Sequence, residues 1–139
     1  MAQKVREVMT SAPQALRPDQ PLTEAAKTMR EQGIGSVLVL DEGTLKGLVT
    51  DRDIVVRGIA ENKDPGSTPI AEVCSADLVT VTPEDDTDTV VQRMREAAVR
   101  RIPVVEKGRP VGVISIGDLA IERDERSVLA DISAARPNT

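Results

Sequence analysis

Gly47-Leu48-Val49-Thr50-Asp51-Arg52-Asp53 and Gly112-Val113-Ile114-Ser115-Ile116-Gly117-Asp118 decide how this chain is read. Both run glycine, two apolar residues, a hydroxyl, two variable residues and aspartate. They lie 65 residues apart, and the same offset lays Val5–Val55 over Ile70–Ala120 without a gap. Ten pairs are identical, among them Glu7/Glu72, Pro18/Pro83, Met29/Met94, Gly43/Gly108, Gly47/Gly112 and Asp53/Asp118. Others are chemically alike, as in Asp19/Glu84, Val49/Ile114 and Thr50/Ser115. Gly, Pro and Asp recurring in one frame mark shared backbone geometry, so the chain is an internal duplication.

Outward from the two junctions, each copy reads strand, helix, strand, strand, helix. A short extended piece (Gln14–Leu16; Val79–Val81) meets a turn at Pro18 or Pro83. A helix over Pro21–Gln32 follows, with Leu22, Ala25, Ala26 and Met29 at helical spacing, Pro21 in its first turn and Gly33 at its exit. Val90, Val91, Met94, Ala97 and Ala98 form the corresponding face of the second copy. Strands Ser36–Asp41 and Leu45–Thr50 flank Glu42-Gly43, a hairpin signal. Ile102–Glu106 and Val111–Ser115 flank Lys107-Gly108, with Pro110 at the start of its strand. Helices Asp51–Ala60 and Ile116–Arg123 close the copies. The expected division is repeat 1 over 5–60, a turn-rich linker over 61–69, repeat 2 over 70–123 and a tail over 124–139. That tail holds a possible short helix using Val128, Leu129 and Ile132. The fold class is α/β (α+β). A unit of about 50 residues buries too little core alone, so the two copies are expected to pack together by a pseudo-twofold.

Composition narrows the function. Of the 139 residues, 18 are Lys or Arg and 23 are Asp or Glu, a net charge of −5 that argues against a phosphate-backbone binding face. The chain contains no Phe, Tyr, Trp or His. Without aromatics it has no stacking platform for single-stranded nucleic acid. Without His it has no Ser-His or Cys-His nucleophile pair and no imidazole metal ligand, so an enzyme is not expected. The lone Cys74 allows no internal disulfide. No apolar run approaches a membrane span and no secretory signal is read at the N-terminus, so a cytoplasmic protein is the expectation.

The junctions have two readings. In one they are capping boxes: Thr50 or Ser115 caps a helix, and Asp53 or Asp118 reaches back to the backbone. In the other the same geometry binds a ligand. A helix N-terminus attracts phosphate, the hydroxyl adds a donor, and an ionised Asp accepts from a ribose diol. An adenine-type ring would need an aliphatic slot, and Ser36-Val37-Leu38 and Arg101-Ile102-Pro103 begin the neighbouring strands.

Val-Met-Thr at 8–10, Gly-Leu-Val-Thr-Asp-Arg-Asp-Ile at 47–54, Arg-Arg-Ile-Pro-Val-Val at 100–105 and Gly-Val-Ile-Ser-Ile-Gly-Asp-Leu at 112–119 resemble a tandem CBS-domain pair, or Bateman module. The resemblance spans about Val5–Ala120. It implies two β-α-β-β-α repeats with clefts between them for adenosine compounds: AMP, ADP, ATP, S-adenosylmethionine or dinucleotides such as NAD. It implies a homodimer. With no attached effector domain visible, the output would run through an unknown partner protein. Carried over, Asp53 and Asp118 hold ribose hydroxyls and Thr50 and Ser115 face phosphate. Ser36–Leu38 and Arg101–Pro103 contact the base. Asp51 adds negative charge near the phosphate and Arg52 offsets it. No cofactor, membrane or nucleic acid is implied. A ligand-independent dimeric scaffold is the alternative.

Other residues have plainer readings. Arg100 and Arg101 either reach phosphate or pair with carboxylates at the strand start. Lys46 reads as a solvent-facing strand residue. Cys74, opposite Met9 in the repeat frame, reads as a buried thiol. Met29 and Met94 read as core or dimer seam. Glu84, Asp85, Asp86 and Asp88 begin a helix, where acids complement the dipole, and lack the spacing of a calcium loop.

Overall fold

A computed structural model describes residues 3–11, 13–76 and 78–123. The tail helix expected over 124–135 lies outside the described residues. In chain order the elements are α1 (Val5–Val8), β1 (Thr10–Ser11), β2 (Ala15–Leu16), α2 (Leu22–Gln32), β3 (Ser36–Asp41), β4 (Thr44–Thr50) and α3 (Asp51–Asp53). The chain continues from α3 as a π-helical turn over Ile54–Gly58 and a 3₁₀ turn over Ile59–Glu61. A second 3₁₀ turn covers Ile70–Glu72, and α4 (Thr87–Ala97), β5 (Arg101–Glu106), β6 (Arg109–Ser115) and α5 (Ile116–Arg123) follow.

The described residues form two compact units. One comprises 3–11, residue 13 and 79–123, the other 14–76 with residue 78. Each repeat's leading segment therefore packs in the other repeat's unit, a division that the linear repeat boundaries do not show. Its chemistry is the same in both units. Val5 and Arg6 donate their amides to the carbonyls of Asp85 and Pro83, while the Thr87 amide donates to Gln3. At the 65-residue offset, Ile70 and Ala71 donate to Gln20 and Pro18, while Leu22 donates to Thr68. Beside these contacts Glu84 pairs with Lys4 and Arg6, and Glu72 pairs with Lys63.

Each unit carries a three-stranded sheet, β1-β6-β5 in one and β2-β3-β4 in the other. Both hairpins have their two turn residues at positive φ, Glu42-Gly43 and Lys107-Gly108, as the expected tight turns require. Both also bulge at the same place, between Val39/Leu40 and Val104/Val105. The extended piece at 79–81 reduces to a single parallel bridge, Val81 to Val104. Strand β4 begins one residue earlier than expected, at Thr44. Beneath one sheet, Val5, Val81, Val90, Met94, Ile102, Val104, Ile114 and Leu119 form a core. Beneath the other, Leu22, Ala25, Met29, Val37, Val39, Val49, Ile70 and Val73 do. Val5, Ile70 and Val73 are the exchanged segments' deposits in these cores. Met29 and Met94 are thus core residues.

The amphipathic reading of the helices needs trimming. Ala26, Ala97 and Ala98 are exposed, not on the buried faces. Pro21 sits one residue ahead of α2, as its N-cap, where extended backbone suits it. The helix expected over Asp51–Ala60 keeps only one α-helical turn before widening. Gly47 and Gly112 hold the sheet edges open to the exchanged chain. A Cβ at Gly47 would lie 2.7 Å from the Ser75 carbonyl oxygen, and one at Gly112 would lie 2.7 Å from that of Thr10.

Two stability outcomes follow. Helix α2 ends on Gly33 in the left-handed region, but α4 ends there on Ala98 at φ 56°. A left-handed alanine costs roughly 1–2 kcal/mol, so Ala98→Gly is expected to stabilise the protein by about 1 kcal/mol and Gly33→Ala to destabilise it similarly, read by thermal unfolding. Ile70→Ala is expected to cost about 2–5 kcal/mol. Hydrogen exchange should show protection falling in β3 and β4 more than in β5 and β6, because Ile70 packs in the former core.

Candidate functional site

The strand-to-helix junctions bring the expected residues together by register. Ser36 faces Thr50, Val37 faces Val49 and Leu38 faces Leu48 across one hairpin. Arg101 faces Ser115, Ile102 faces Ile114 and Pro103 faces Val113 across the other. Facing residues share a side of the sheet, so Ser36 and Arg101 lie beside the hydroxyls. The first residue of each helix is tied to the preceding loop: Asp51 donates its amide to the Gly35 carbonyl at 3.0 Å, and Ile116 to the Arg100 carbonyl at 2.9 Å.

Both junctions are complete capping boxes. The Thr50 hydroxyl oxygen accepts from the Asp53 amide at 3.1 Å, and Asp53 Oδ2 accepts from the Thr50 amide at 3.0 Å. Ser115 and Asp118 repeat this at 3.1 Å and 2.9 Å. The cap does not exhaust the groups. It uses each hydroxyl as an acceptor and leaves its proton, and it uses one carboxylate oxygen and leaves Oδ1. An ionised carboxylate with a spare oxygen still accepts an O–H donor.

The aliphatic residues divide by strand alternation. Val37 and Ile102 point into the two cores, so only their backbone is left to meet a ligand. Leu38 and Pro103 lie on the other side of their strands and are buried. Arg52 and Arg100 are exposed, and Arg101, Thr50, Ser115, Ser36 and Asp118 are half-buried. Lys46 is exposed.

One neighbour was not anticipated. Arg57 lies one turn beyond Asp53, its Nε 3.9 Å from Asp53 Oδ1, and its Nη1 donates to the Val73 carbonyl at 3.5 Å. The i,i+4 spacing of an acid and a base was the available signal. Cys74 belongs to the same neighbourhood. It is half-buried against the core of its unit, and burial first, then the Asp53 charge, pushes its thiol above the ordinary value, against a lowering by Arg57.

The acidic run at 84–88 is engaged elsewhere. Glu84 pairs with Lys4 and Arg6, and Asp85 accepts from the Thr82 amide at 2.8 Å. Among the described residues no group of three or more His, Cys, Asp or Glu is placed to hold a metal. No described helix is long and apolar enough to cross a membrane.

The family model of the CBS domain matches residues 5–58 and again residues 70–124. The chain belongs to the CBS-domain family. It is 37% identical over 119 residues to the CBS domain-containing protein YhcV of Bacillus subtilis, covering 86% of this chain and 84% of that one. It is 31% identical over 130 residues to hypoxic response protein 1 of Mycobacterium tuberculosis, covering 93% and 91%. A crystal structure of Hypoxic Response Protein I with two coordinated zinc ions matches at TM-score 0.79 and 31% identity, over 88% of this chain and 100% of that one. The CBS domain pair of protein MJ0100, solved with 5′-methylthioadenosine and S-adenosyl-L-methionine, matches at TM-score 0.83 over 91% and 100% of the chains. Its identity is 24%, so this likeness is one of fold.

The thiol reports on the first CBS junction. The midpoint of Cys74 alkylation against pH is expected to lie above that of an unhindered cysteine. Asp53→Asn should move it down by removing a negative charge, and Arg57→Gln should move it up. Rates of iodoacetamide labelling measure both.

Proposed function

We propose that this chain is a regulatory, non-catalytic module. It binds an adenosine-containing ligand of the AMP, ADP or ATP type at its strand-to-helix junctions and passes the bound state to a partner protein. One observation carries the reading: each capping box leaves a carboxylate oxygen and a hydroxyl proton beside a helix start. These are the acceptor and donor that a ribose diol and a phosphate need. That the MJ0100 pair was solved with two adenosyl compounds supports the fold's capacity for such ligands. S-adenosylmethionine and NAD are the further members of the class to test.

A homodimer is part of the reading. Val55, Val56 and Ile59, on the widened helix after β4, are 58%, 41% and 51% exposed. Aliphatic residues neighbouring on one exposed helix are suited to burial against a second copy. Ligand binding can act on a partner only through differential affinity for two states.

The completeness of both capping boxes favours a second reading, a ligand-independent scaffold. One experiment separates them. Calorimetric melts with AMP, ADP, ATP, NAD or S-adenosylmethionine are expected to shift upward by several degrees with one class of ligand. At 100 times the dissociation constant, that shift reflects about 2.7 kcal/mol. Asp→Ala at an occupied junction should abolish the shift while leaving a cooperative melt, lowered by about 0.5–2 kcal/mol for the lost cap. Melts unmoved by any of the five, from ligand-free protein, would support the scaffold.

A further inference from the structure

The loop from α4 into β5 breaks the likeness of the two repeats. The first repeat has Gln32, Gly33, Ile34 and Gly35 there, and the second has Ala97, Ala98, Val99 and Arg100. Gly33 takes the left-handed cap without strain, whereas Ala98 takes it at φ 56°. Ile34 packs against the core of its unit, while Val99 is 37% exposed and stands outside the core of its own. The start of the helix after each hairpin differs in the same sense. Asp51 of the first repeat becomes Ile116, which is 49% exposed. The Ile116 amide donates to the Arg100 carbonyl at 2.9 Å, so Ile116 lies beside the loop.

The outcome is an exposed apolar surface of Ala97, Ala98, Val99 and Ile116 that the first repeat does not have. Its rim is cationic. Arg95, in the last turn of α4, and Arg100 are exposed, and among the described residues neither guanidinium is in a hydrogen bond or an ion pair. The carboxylates beside them in sequence are turned to other donors. Glu96 accepts from the Gln92 side chain at 3.0 Å, and Asp118 accepts from the Ser115 amide at 2.9 Å. In a chain of net charge −5, unpaired cations around exposed aliphatic groups stand against the general character of the surface. Exposed apolar groups with a polar rim mark a protein-binding surface, and arginine is enriched in such interfaces. A lone phosphate would use the guanidinium groups and leave the aliphatic ones bare. Single-stranded nucleic acid would need stacking rings that the chain lacks. A peptide carrying carboxylates and aliphatic side chains together engages both.

We propose that the α4–β5 loop with Ile116 is the surface on which this protein engages its partner, and that the partner presents an acidic segment with aliphatic side chains. The carboxylates pair with Arg95 and Arg100, and the aliphatic groups cover Val99 and Ile116. The surface exists in one repeat only, so each chain takes one such segment. This goes beyond the regulatory reading by giving the partner's chemistry, and it does not depend on the adenosine ligand.

Fluorescence anisotropy of the full chain, free of nucleotide, with a fluorescein-labelled peptide alternating glutamate and leucine tests it. The expected result is saturable binding of one peptide per chain, weakened by added salt. A lysine–leucine peptide is expected not to bind, and a glutamate–serine peptide to bind about tenfold more weakly for want of apolar cover. Arg100→Glu and Val99→Asp are each expected to weaken the glutamate–leucine peptide about tenfold while a cooperative melt is kept. Lys46→Glu, which reverses an exposed cation on the other hairpin, is expected to leave binding unchanged. No binding of the glutamate–leucine peptide, equal binding of the lysine–leucine peptide, or an equal loss on Lys46→Glu would overturn the proposal. So would a single-stranded oligonucleotide that displaces the peptide at a lower concentration than unlabelled peptide does, since the surface would then answer to any polyanion. Each of these results leaves adenosine-ligand binding at the junctions unaffected, so the two readings fail separately.

Discussion

The exchange of leading segments is the constraint on which the two units rest. Residues 3–6 complete the unit that holds the second repeat's sheet, and residues 68–73 complete the other. Both do so through the same trio of backbone hydrogen bonds. Without them the loops before α2 and α4 would leave carbonyls unpaired, and each core would lose residues with no solvent exposure, Val5 in one and Ile70 and Val73 in the other. Glycine at 47 and 112 is part of the same constraint, because only a missing Cβ admits the exchanged backbone to the sheet edge. The duplication therefore does more than double a small fold. It links the two units by chain crossings that neither repeat could make alone.

At the junctions, stability and the proposed binding draw on one set of atoms. The capping box fixes the hydroxyl and the carboxylate by reciprocal hydrogen bonds, so their positions are set before any ligand arrives. A group held by half of its hydrogen-bonding capacity is both a cap and a preorganised partner. The structural and functional readings of the same residues are thus compatible. The repeats differ in what surrounds this shared device. Asp51 and Arg57 stand at the first junction, and Gly117, Arg100 and Arg101 stand at the second.

Local features were legible from the chain alone. The hairpins at Glu42-Gly43 and Lys107-Gly108 were, because positive φ at both turn residues is a local demand that these sequences meet. So were α2 and the Gly33 exit. The helix after β4 was not: its residues carry no local mark of the π-helical turn over Ile54–Gly58 and the 3₁₀ turn over Ile59–Glu61, on which Val55, Val56 and Ile59 are exposed. Nor was the role of Ala98, since an alanine in a helical pattern carries no mark of the left-handed cap it occupies. Val37 and Ile102 read equally well as slot or core, because alternation fixes that two faces exist and not which one a ligand meets.

By itself the sequence determined the duplication, the order of strands and helices, the capping pairs Thr50–Asp53 and Ser115–Asp118, and the CBS family. Each is written in spacing and in residue types with local conformational demands. Only the tertiary structure decided that Val5 serves one core and Ile70 the other, that Arg57 closes on Asp53, and that Cys74 shares its neighbourhood. Burial can be read from periodicity, but the partner a buried residue meets is settled by packing between distant segments. In a chain whose two halves carry nearly the same pattern, either half offers that partner until the fold chooses.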